Sequence, residues 1–563
     1  MSQFPKRAID SKSAYPQIVV WHYDRQNFGL PANITGTRDD ADDFFKATQF
    51  TIDDGIISLG VSKSLDSASA SFDFELLPTE NWKAKISPGD WLAIFMTDKY
   101  DNGNYQQKNL ILLGNVDKVN QRIARNEDDT IETKYSISGR NFGKVFEDTH
   151  IWFDPYTIQD KTLDAALRSK GLALTGSPNE LFSKALDIFL GPGTEVERGR
   201  TSPLSQWRIS SSMASFFGAA RDTFVISESQ PTFYDILNIE QVEDLPGYRI
   251  NQMISAGDGG NLWDMIQKSS NRYINEVIVE ESRNGDLTTP TIRLRPRPIS
   301  TPFLSDVVVG VPFAEAVNNS AILDVLSKSS QTMQSLASDD ANVIVLDPTQ
   351  IKETSLGKDD HSRFNMLWLS TQSTESYNLS PMTHLEPGGN IGNPTYNRIG
   401  IQRHGLRKID DMMEFCNKAA KSKFPNLVLM KAFMSQIYDF HFANHLYDSG
   451  VIESTGFIEA ELGKVLLMQT EGGVGNDKIY YIEGYEHRWS FPNLWTTSFS
   501  VTHGQYLASD SKIFIDATDD DQGKLDRDSE TIFLAQTQFK RQAPNKDVKI
   551  AAATTITNGG VIS

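Results

Sequence analysis

Cysteine is nearly absent: Cys416 stands alone in 563 residues, so no intrachain disulfide framework staples this fold. That usage fits synthesis and assembly in a reducing cytoplasm. Long apolar runs are missing too. None approaches the ~18–20 residues a membrane-spanning helix needs, so no membrane insertion is expected. The opening MSQFPKRAIDSKSAYPQ lacks the apolar core of a secretory signal. Positive charge is in deficit, with 54 Lys and Arg against 73 Asp and Glu, leaving −19 at pH 7. Affinity for a phosphate backbone comes from clustered cations, so a large nucleic-acid surface is disfavoured. What remains is ordinary globular material, and its length predicts about three to five domains.

Residues 1–50 read as a polar, irregular segment ending in the acidic cluster Asp39, Asp40, Asp42 and Asp43. From Gly55 the pattern changes to short β runs. In SASFDFELL, Phe72, Phe74 and Leu76 alternate with Ser71, Asp73 and Glu75, the period of two that marks a strand with one buried face. WLAIFM (91–96) is continuously apolar, as a strand covered on both sides requires. With LILLGNVDKV (110–119) and ETKYSISGRNFGKVF, these runs predict a small barrel or sandwich over 51–150.

Helical spacing follows over 151–260, in DKTLDAALRSKG (160–171) and in NELFSKALDIFLGPG with Asn179 as its N-cap. GGNLWDMIQKSSN predicts a further helix capped by Asn261. YINEVIVEES and PTIRLRPRPI predict two strands, and residues 301–448 a mixed α/β insertion. That insertion holds the strand-like FNMLWLS (364–370) and helices over 408–424 and 427–447. β character returns at Gly456, and residues 509–563 read as a tail.

The late β region resembles the early one. Gly89-Asp90 before WLAIFM matches Gly463-Lys464 before VLLM. LILLGNVDKV matches YYIEGYEHRW through Gly114 and Gly484, each followed by an acid, Asp117 or Glu486. TKYSISGR matches TSFSVTHG, setting Tyr135 against Phe499 and Ile137 against Val501. Three matching elements in one order favour a duplicated β domain over chance likeness between strands.

Catalytic chemistry finds little footing. His441 and His445 have metal-ligand spacing on a helix, but HFANH lacks the glutamate of HExxH, so surface or interface histidines are the better reading. Cys416 has no CxxC partner and reads as a buried helix residue. AGDGGN lacks both the phosphate-loop lysine and the GxGxxG spacing, and DATDDDQG and DKYDNGN lack EF-hand spacing. Arg293, Arg295 and Arg297 alternate with Leu294, Pro296 and Pro298, and predict an edge strand paired with acidic neighbours. No catalytic, cofactor-binding or metal residue is assigned, and a non-enzymatic protein is expected.

The phrases GVSKSLDSASASFDFELLP, SPGDWLAIFM, YSISGRNFGKVFEDTHIW, GGNLWDMI, RLRPRPI and YYIEGYEHRWSFPNLWTTSFSVTHGQ resemble, in this order, the baseplate central hub proteins of tailed bacteriophages. The resemblance covers 55–300 and 455–505 best. It implies an α+β, mainly β chain with two similar small β-barrel, tube-like domains and inserted helical and mixed α/β segments. The first barrel would span 51–150, and the second would combine 261–300 with 449–508. It further implies a homotrimer in the virion tail baseplate, a ring of six barrels joining the tail tube to a central spike beside other baseplate proteins. DNA would pass through the channel without specific binding. The residues expected to carry this are scaffold features: the turns at Gly89 and Gly463, the strand glycines Gly114 and Gly484, and the barrel-closing aromatics Trp91, Tyr135, Trp489 and Phe499. Readings from other classes are a component of a related contractile injection or secretion machine, a tail-associated cell-wall hydrolase, and a multidomain sugar- or peptide-binding protein.

Overall fold

The computed structural model describes residues 14–23, 47–98, 107–125, 131–150, 173–176, 178–190, 207, 209–218, 231–241, 250–253, 260–270, 275–284, 287–298, 336, 342–360, 363–373, 395–396, 398–415, 447–469, 477–492, 494–507 and 513–514. The first β unit comprises β1 (Ala14–Tyr23), β2 (Ala47–Ile52), β3 (Ile56–Ser64), β4 (Ser71–Leu76), β5 (Trp91–Asp98), β6 (Leu110–Arg125) and β7 (Ile131–Asn141). Its strands lie in the order β3-β4-β7-β6-β5-β1-β2, every neighbouring pair antiparallel. All seven send side chains into one core, from Ile18 and Val20 to Tyr135 and Ile137. A sheet whose every strand faces one core must curl around it.

β5 shows why its sequence is continuously apolar. Leu92, Ile94 and Met96 enter the strand-wrapped core, while Trp91, Ala93 and Phe95 enter a second core on the outer side. That outer core is built with α1 (Trp82–Lys85) excluded and α2 (Lys144–Asp148), α3 (Pro178–Phe189), α4 (Ser211–Phe217), α5 (Phe233–Ile236) and α6 (Leu262–Ser269) included. On α3, Leu181, Phe182, Ala185, Leu186 and Phe189 are buried, the stripe expected of a helix lying on a sheet. Asn261 caps α6 as the sequence predicts, its Oδ1 accepting from the Asp264 amide at 2.8 Å.

Between the β units lie a ribbon of β8 (Ala173–Gly176) with β10 (Ile250–Met253), and a three-stranded sheet of β9 (Asn238–Gln241), β11 (Asn275–Asn284) and β12 (Leu287–Pro296). The second β unit begins with β13 (Val343–Leu346) and β14 (Ile351–Gly357). A separate sheet of β15 (Met366–Ser373), β16 (Thr395–Tyr396) and β17 (Lys408–Phe415), with α7 (Arg398–His404), is inserted there. The unit is completed by β18 (Asp448–Thr455), β19 (Val465–Met468), β20 (Lys478–Ser490), β21 (Leu494–Leu507) and β22 (Ile513–Phe514).

The chain is thus mainly β, with both units in one 14-stranded sheet that is antiparallel except where β13 runs parallel to β19. Among the described residues the main path of this sheet runs from β14 to β2, with β19-β13 branching from β20 and β22 from β21, and no ring of strands closes.

Several sequence expectations give way. Residues 14–23, read as irregular, form β1, with Ile18 to Trp21 wholly buried; the surrounding polar chain and Pro16 mask a strand covered on both faces. Helix α3 starts at Pro178, so Asn179 lies inside the first turn and is not the cap. Residues 408–415, predicted helical, pair as β17 in parallel with β15, tertiary pairing overriding local propensity. After the inserted sheet, strand pairing resumes at Asp448, ahead of the Gly456 where β character was expected to return, and 456–464 is a loop. β12 lies between β11 and β9 and is not an edge, although its arginines do meet acids, Arg293 at Glu240 (2.6 Å) and Arg295 at Glu276 (2.7 Å). The helix expected over 160–171, all but the last residue of that expected over 427–447, Cys416, and His441 with His445 lie outside the described residues.

Candidate functional site: the seam between two repeated β units

Five strands of each unit follow one plan. In chain order β3, β4, β5, β6, β7 and β14, β18, β19, β20, β21, the neighbours are β3-β4-β7-β6-β5 and β14-β18-β21-β20-β19, all antiparallel. The correspondence reaches individual hydrogen bonds. The Gly89 amide donates to the Val116 carbonyl (2.6 Å) and the Val116 amide to the Asp90 carbonyl (2.9 Å). Likewise Gly463 donates to Ile482 (2.9 Å) and Ile482 to Lys464 (3.0 Å). Both turn glycines have positive φ, 90° and 72°, a conformation that penalises a Cβ.

One residue further on, each long strand bulges, at Asp117 in β6 and at Glu483 in β20. A bulge adds one unpaired residue and sharpens the strand's twist. Pairing from the bulge matches Val116 to Ile482 and Gly139 to Val501, so Ile137 corresponds to Phe499. The sequence pairing of Tyr135 with Phe499 is therefore two residues out of step, and so is that of Gly114 with Gly484 by four. An even slip leaves every side chain on its face, so alternation could not expose it.

The units join edge to edge. β3 pairs antiparallel with the second half of β20, from Gly484 opposite Ser64 to Ser490 opposite Ser58. The β20–β21 hairpin is shared between two cores. Trp489 and Trp495 at its tip fill the core of the first unit, Trp489 donating from Nε1 to the Ala14 carbonyl at 3.0 Å. Phe499 and Tyr485, nearer its base, fill the core of the second.

A buried ionic cluster clasps this seam. Strand alternation along β11 sends Val277, Val279 and Glu281 toward the first unit and Glu276, Ile278 and Glu280 toward the second. Lys63 of β3 reaches both acids, at 2.5 Å from Glu280 and in a short contact with Glu281. Glu281 accepts from the Leu113 amide (2.8 Å) in the first unit. Glu280 accepts from the Leu462 amide and the Tyr485 hydroxyl (3.0 Å each) in the second. Burial opposes the Lys63 charge, yet Glu280 and Glu281 together hold its ammonium well above the ordinary lysine value. Burial, with Glu280 beside it, pushes Glu281 up, because one ammonium faces two carboxylates. A second cluster, Arg295 with Glu276 and Tyr481, places Arg295 Nη2 on the Gly463 carbonyl of the repeated turn.

Of the remaining scaffold residues, Trp91 corrects its expected role. It stacks on Phe233 at 5.6 Å beneath the helical layer and so points away from the strand-wrapped core. Tyr135 lies inside that core. Gly114 leaves room for Phe72, whose ring would lie 2.6 Å from a Cβ there. Gly484 sits at the seam, where a Cβ would be 3.0 Å from the Lys63 carbonyl. Sequence reading missed the Lys63 cluster. Its one signal was Lys63 sharing the alternating face of Leu59 and Val61.

No protein-family model and no curated protein matches the chain. Similar solved structures include a tail protein from Neisseria meningitidis, 9% identical over 87% of this chain and 96% of that one, TM-score 0.41. The 43 kDa tail protein of prophage MuSo2 from Shewanella oneidensis is 12% identical over 86% and 98%, TM-score 0.39. An E. coli component of the type VI secretion system is 6% identical over 82% and 76%, TM-score 0.35. These neighbours are two tail proteins, one of them from a prophage, and a type VI secretion component, at a likeness too low to place this chain in a family. No helix of the described residues is long and apolar enough to cross a membrane.

Proposed function

We propose that this chain is a structural baseplate hub of a phage tail, a homotrimer whose six β units form a pseudo-six-fold ring. The ring joins a hexameric tail tube to a trimeric central spike, beside other baseplate proteins. The observation that carries this reading is the repeat of five strands in one topology, set side by side within one chain through β3 and β20. A closed interface requires matched symmetry, and two equivalent units per chain let three chains meet six subunits on one face and three on the other. In this reading each curled unit serves as a small barrel, and the sequence phrases shared with baseplate hubs point the same way.

The ring encloses a channel for DNA. With 73 acids against 54 cations, the chain as a whole repels a phosphate backbone, which suits passage without specific binding. The role is scaffolding and involves no catalysis. Light scattering on the purified chain tests the proposal: a species of three times 63.0 kDa is expected. A monomer at every concentration, alone and with tube and spike proteins, overturns it.

A further inference from the structure

We propose that β14 of one chain pairs with the distal half of β6 in the next, repeating between chains the joint that β3 and β20 make within one. This rests on the trimeric reading and supplies its interface. The two partners are the repeat counterparts of the strands already joined: β14 corresponds to β3, and β6 to β20. Among the described residues both are open at the required edge. β14 ends the large sheet, and β5 pairs with β6 only as far as Asn115, leaving 118–125 paired to β7 alone.

The register follows from the intrachain pairs. Matching Val116 to Ile482 makes Ile123 the counterpart of Trp489 and Arg122 that of Arg488. On the other strand, Ile137 answers Phe499, and both Phe74 and Ile452 lie opposite them. Leu59 pairs with Phe74, and Thr354 with Ile452, so Thr354 answers Leu59 and Ser355 answers Gly60. The pairs Trp489–Leu59 and Arg488–Gly60 therefore become Ile123–Thr354 and Arg122–Ser355 between chains. Exposure agrees: Trp489 is 2% exposed beneath its joint, whereas Ile123, an apolar residue in the same position, is 65% exposed. A bare strand edge with an apolar residue on it is a template for another chain, and the occupant that fits is a second copy of this one. The contact is head-to-tail, so it must close at three chains or run on as a filament.

Disulfide trapping in the full chain tests the register, since Cys416→Ser leaves no other thiol. The variants are Arg122→Cys with Ser355→Cys, and Ile123→Cys with Thr354→Cys. Adjacent antiparallel pairs alternate between wide and narrow spacing, so one of the two suits a disulfide. Arg122→Cys with Glu353→Cys is the out-of-register control. Expected is a covalent trimer in a matched variant, none in the control, and dissociation to monomer on Ile123→Asp. A trimer by mass with no matched cross-link, with a cross-linked control, or undisturbed by Ile123→Asp overturns this interface and leaves the trimeric reading standing. A ladder extending beyond three chains overturns closure, and a monomer in the unmodified chain overturns both proposals.

Discussion

Replacing Lys63 by methionine keeps the length of the side chain and removes the cation between Glu280 and Glu281. Both acids stay buried, Glu280 4% and Glu281 3% exposed, so water cannot take over the role of the ammonium. Removing one partner of a buried ion pair costs about 3–5 kcal/mol. An independent bound agrees: neutralising one glutamate of ordinary pKa at pH 7 costs about 3.7 kcal/mol. Glu280 would retain the Tyr485 hydroxyl and the Leu462 amide, so Glu281 is the acid that takes the proton. The Leu113 and Leu462 amides, which donate to the two acids, report opening of the seam by hydrogen exchange. At about 1.4 kcal/mol per tenfold, their exchange should speed up by roughly 100-fold or more. The pH dependence has a definite sign. An acid whose folded pKa is raised binds protons more readily folded than unfolded, so the defect shrinks as pH falls, by about 1.4 kcal/mol per unit. Adding Glu281→Gln should restore much of the loss, because its carbonyl oxygen can still accept from Leu113. Unchanged exchange at both amides, or a defect independent of pH between 7 and 5.5, would refute the reasoning.

Two further outcomes follow from buried groups and from the repeated turn. Burial, with Lys63 and Arg283 nearby, lowers His487 to about 3, and burial with Arg297 lowers His503 to about 4. Both unfold with ordinary pKa values, so stability is lost as pH falls below about 6.5, by roughly 2.5 kcal/mol each at pH 4.5. Urea titrations at pH 7 and 4.5 measure it, and His487→Gln should remove about half of that difference. At the turns, Gly463→Ala must carry a Cβ at φ 72° and only 2.3 Å from Arg295 Nη2, whereas Gly89→Ala meets the backbone penalty without that arginine. Denaturant midpoints should rank Gly463→Ala as the more damaging, at more than about 2 kcal/mol against roughly 1–2.

Local physics made much of the fold legible. The alternation of β4 and the apolar run of β5 appear as read, because burial on one face or two writes directly into period and composition. The Gly89 and Gly463 turns were legible for the same reason, since a positive φ selects glycine. β17 was misread because KIDDMMEF carries helical spacing and becomes a strand only when β15 lies beside it. The seam was beyond reach for another reason. Its parts lie on β3, β11 and β20, more than 200 residues apart in each step, and one lysine on an apolar face does not name its acids. The repeat was visible, but its register was not, because strand alternation is blind to an even slip and only the paired bulges at Asp117 and Glu483 fix it.

The two copies differ where the proposed assembly would need them to. Their five common strands coincide, yet β1 runs antiparallel to β5 while its counterpart in position, β13, runs parallel to β19. The helical layer with Trp91, Phe182 and Phe233 packs on the outside of the first unit. The outer face of the second carries a smaller cluster around Leu336, Val465 and Tyr481. Insertions also differ, since β15 to β17 interrupt the second copy between β14 and β18, whereas residues 65–70 alone join the counterpart strands β3 and β4. A frame that repeats twice per chain and a covering that does not are different symmetries in one polypeptide. In a ring of three chains, the strands would present six near-equivalent units and the covering only three positions. Selection for six-fold contact would then act on the bulges, turns and edge strands, and selection for three-fold contact on the inserted layers. The seam clasp belongs to both, because β11 comes from inserted chain while Lys63 and Tyr485 belong to the repeated frame. Loosening it should therefore disturb the spacing of the units and the seating of the outer layer together.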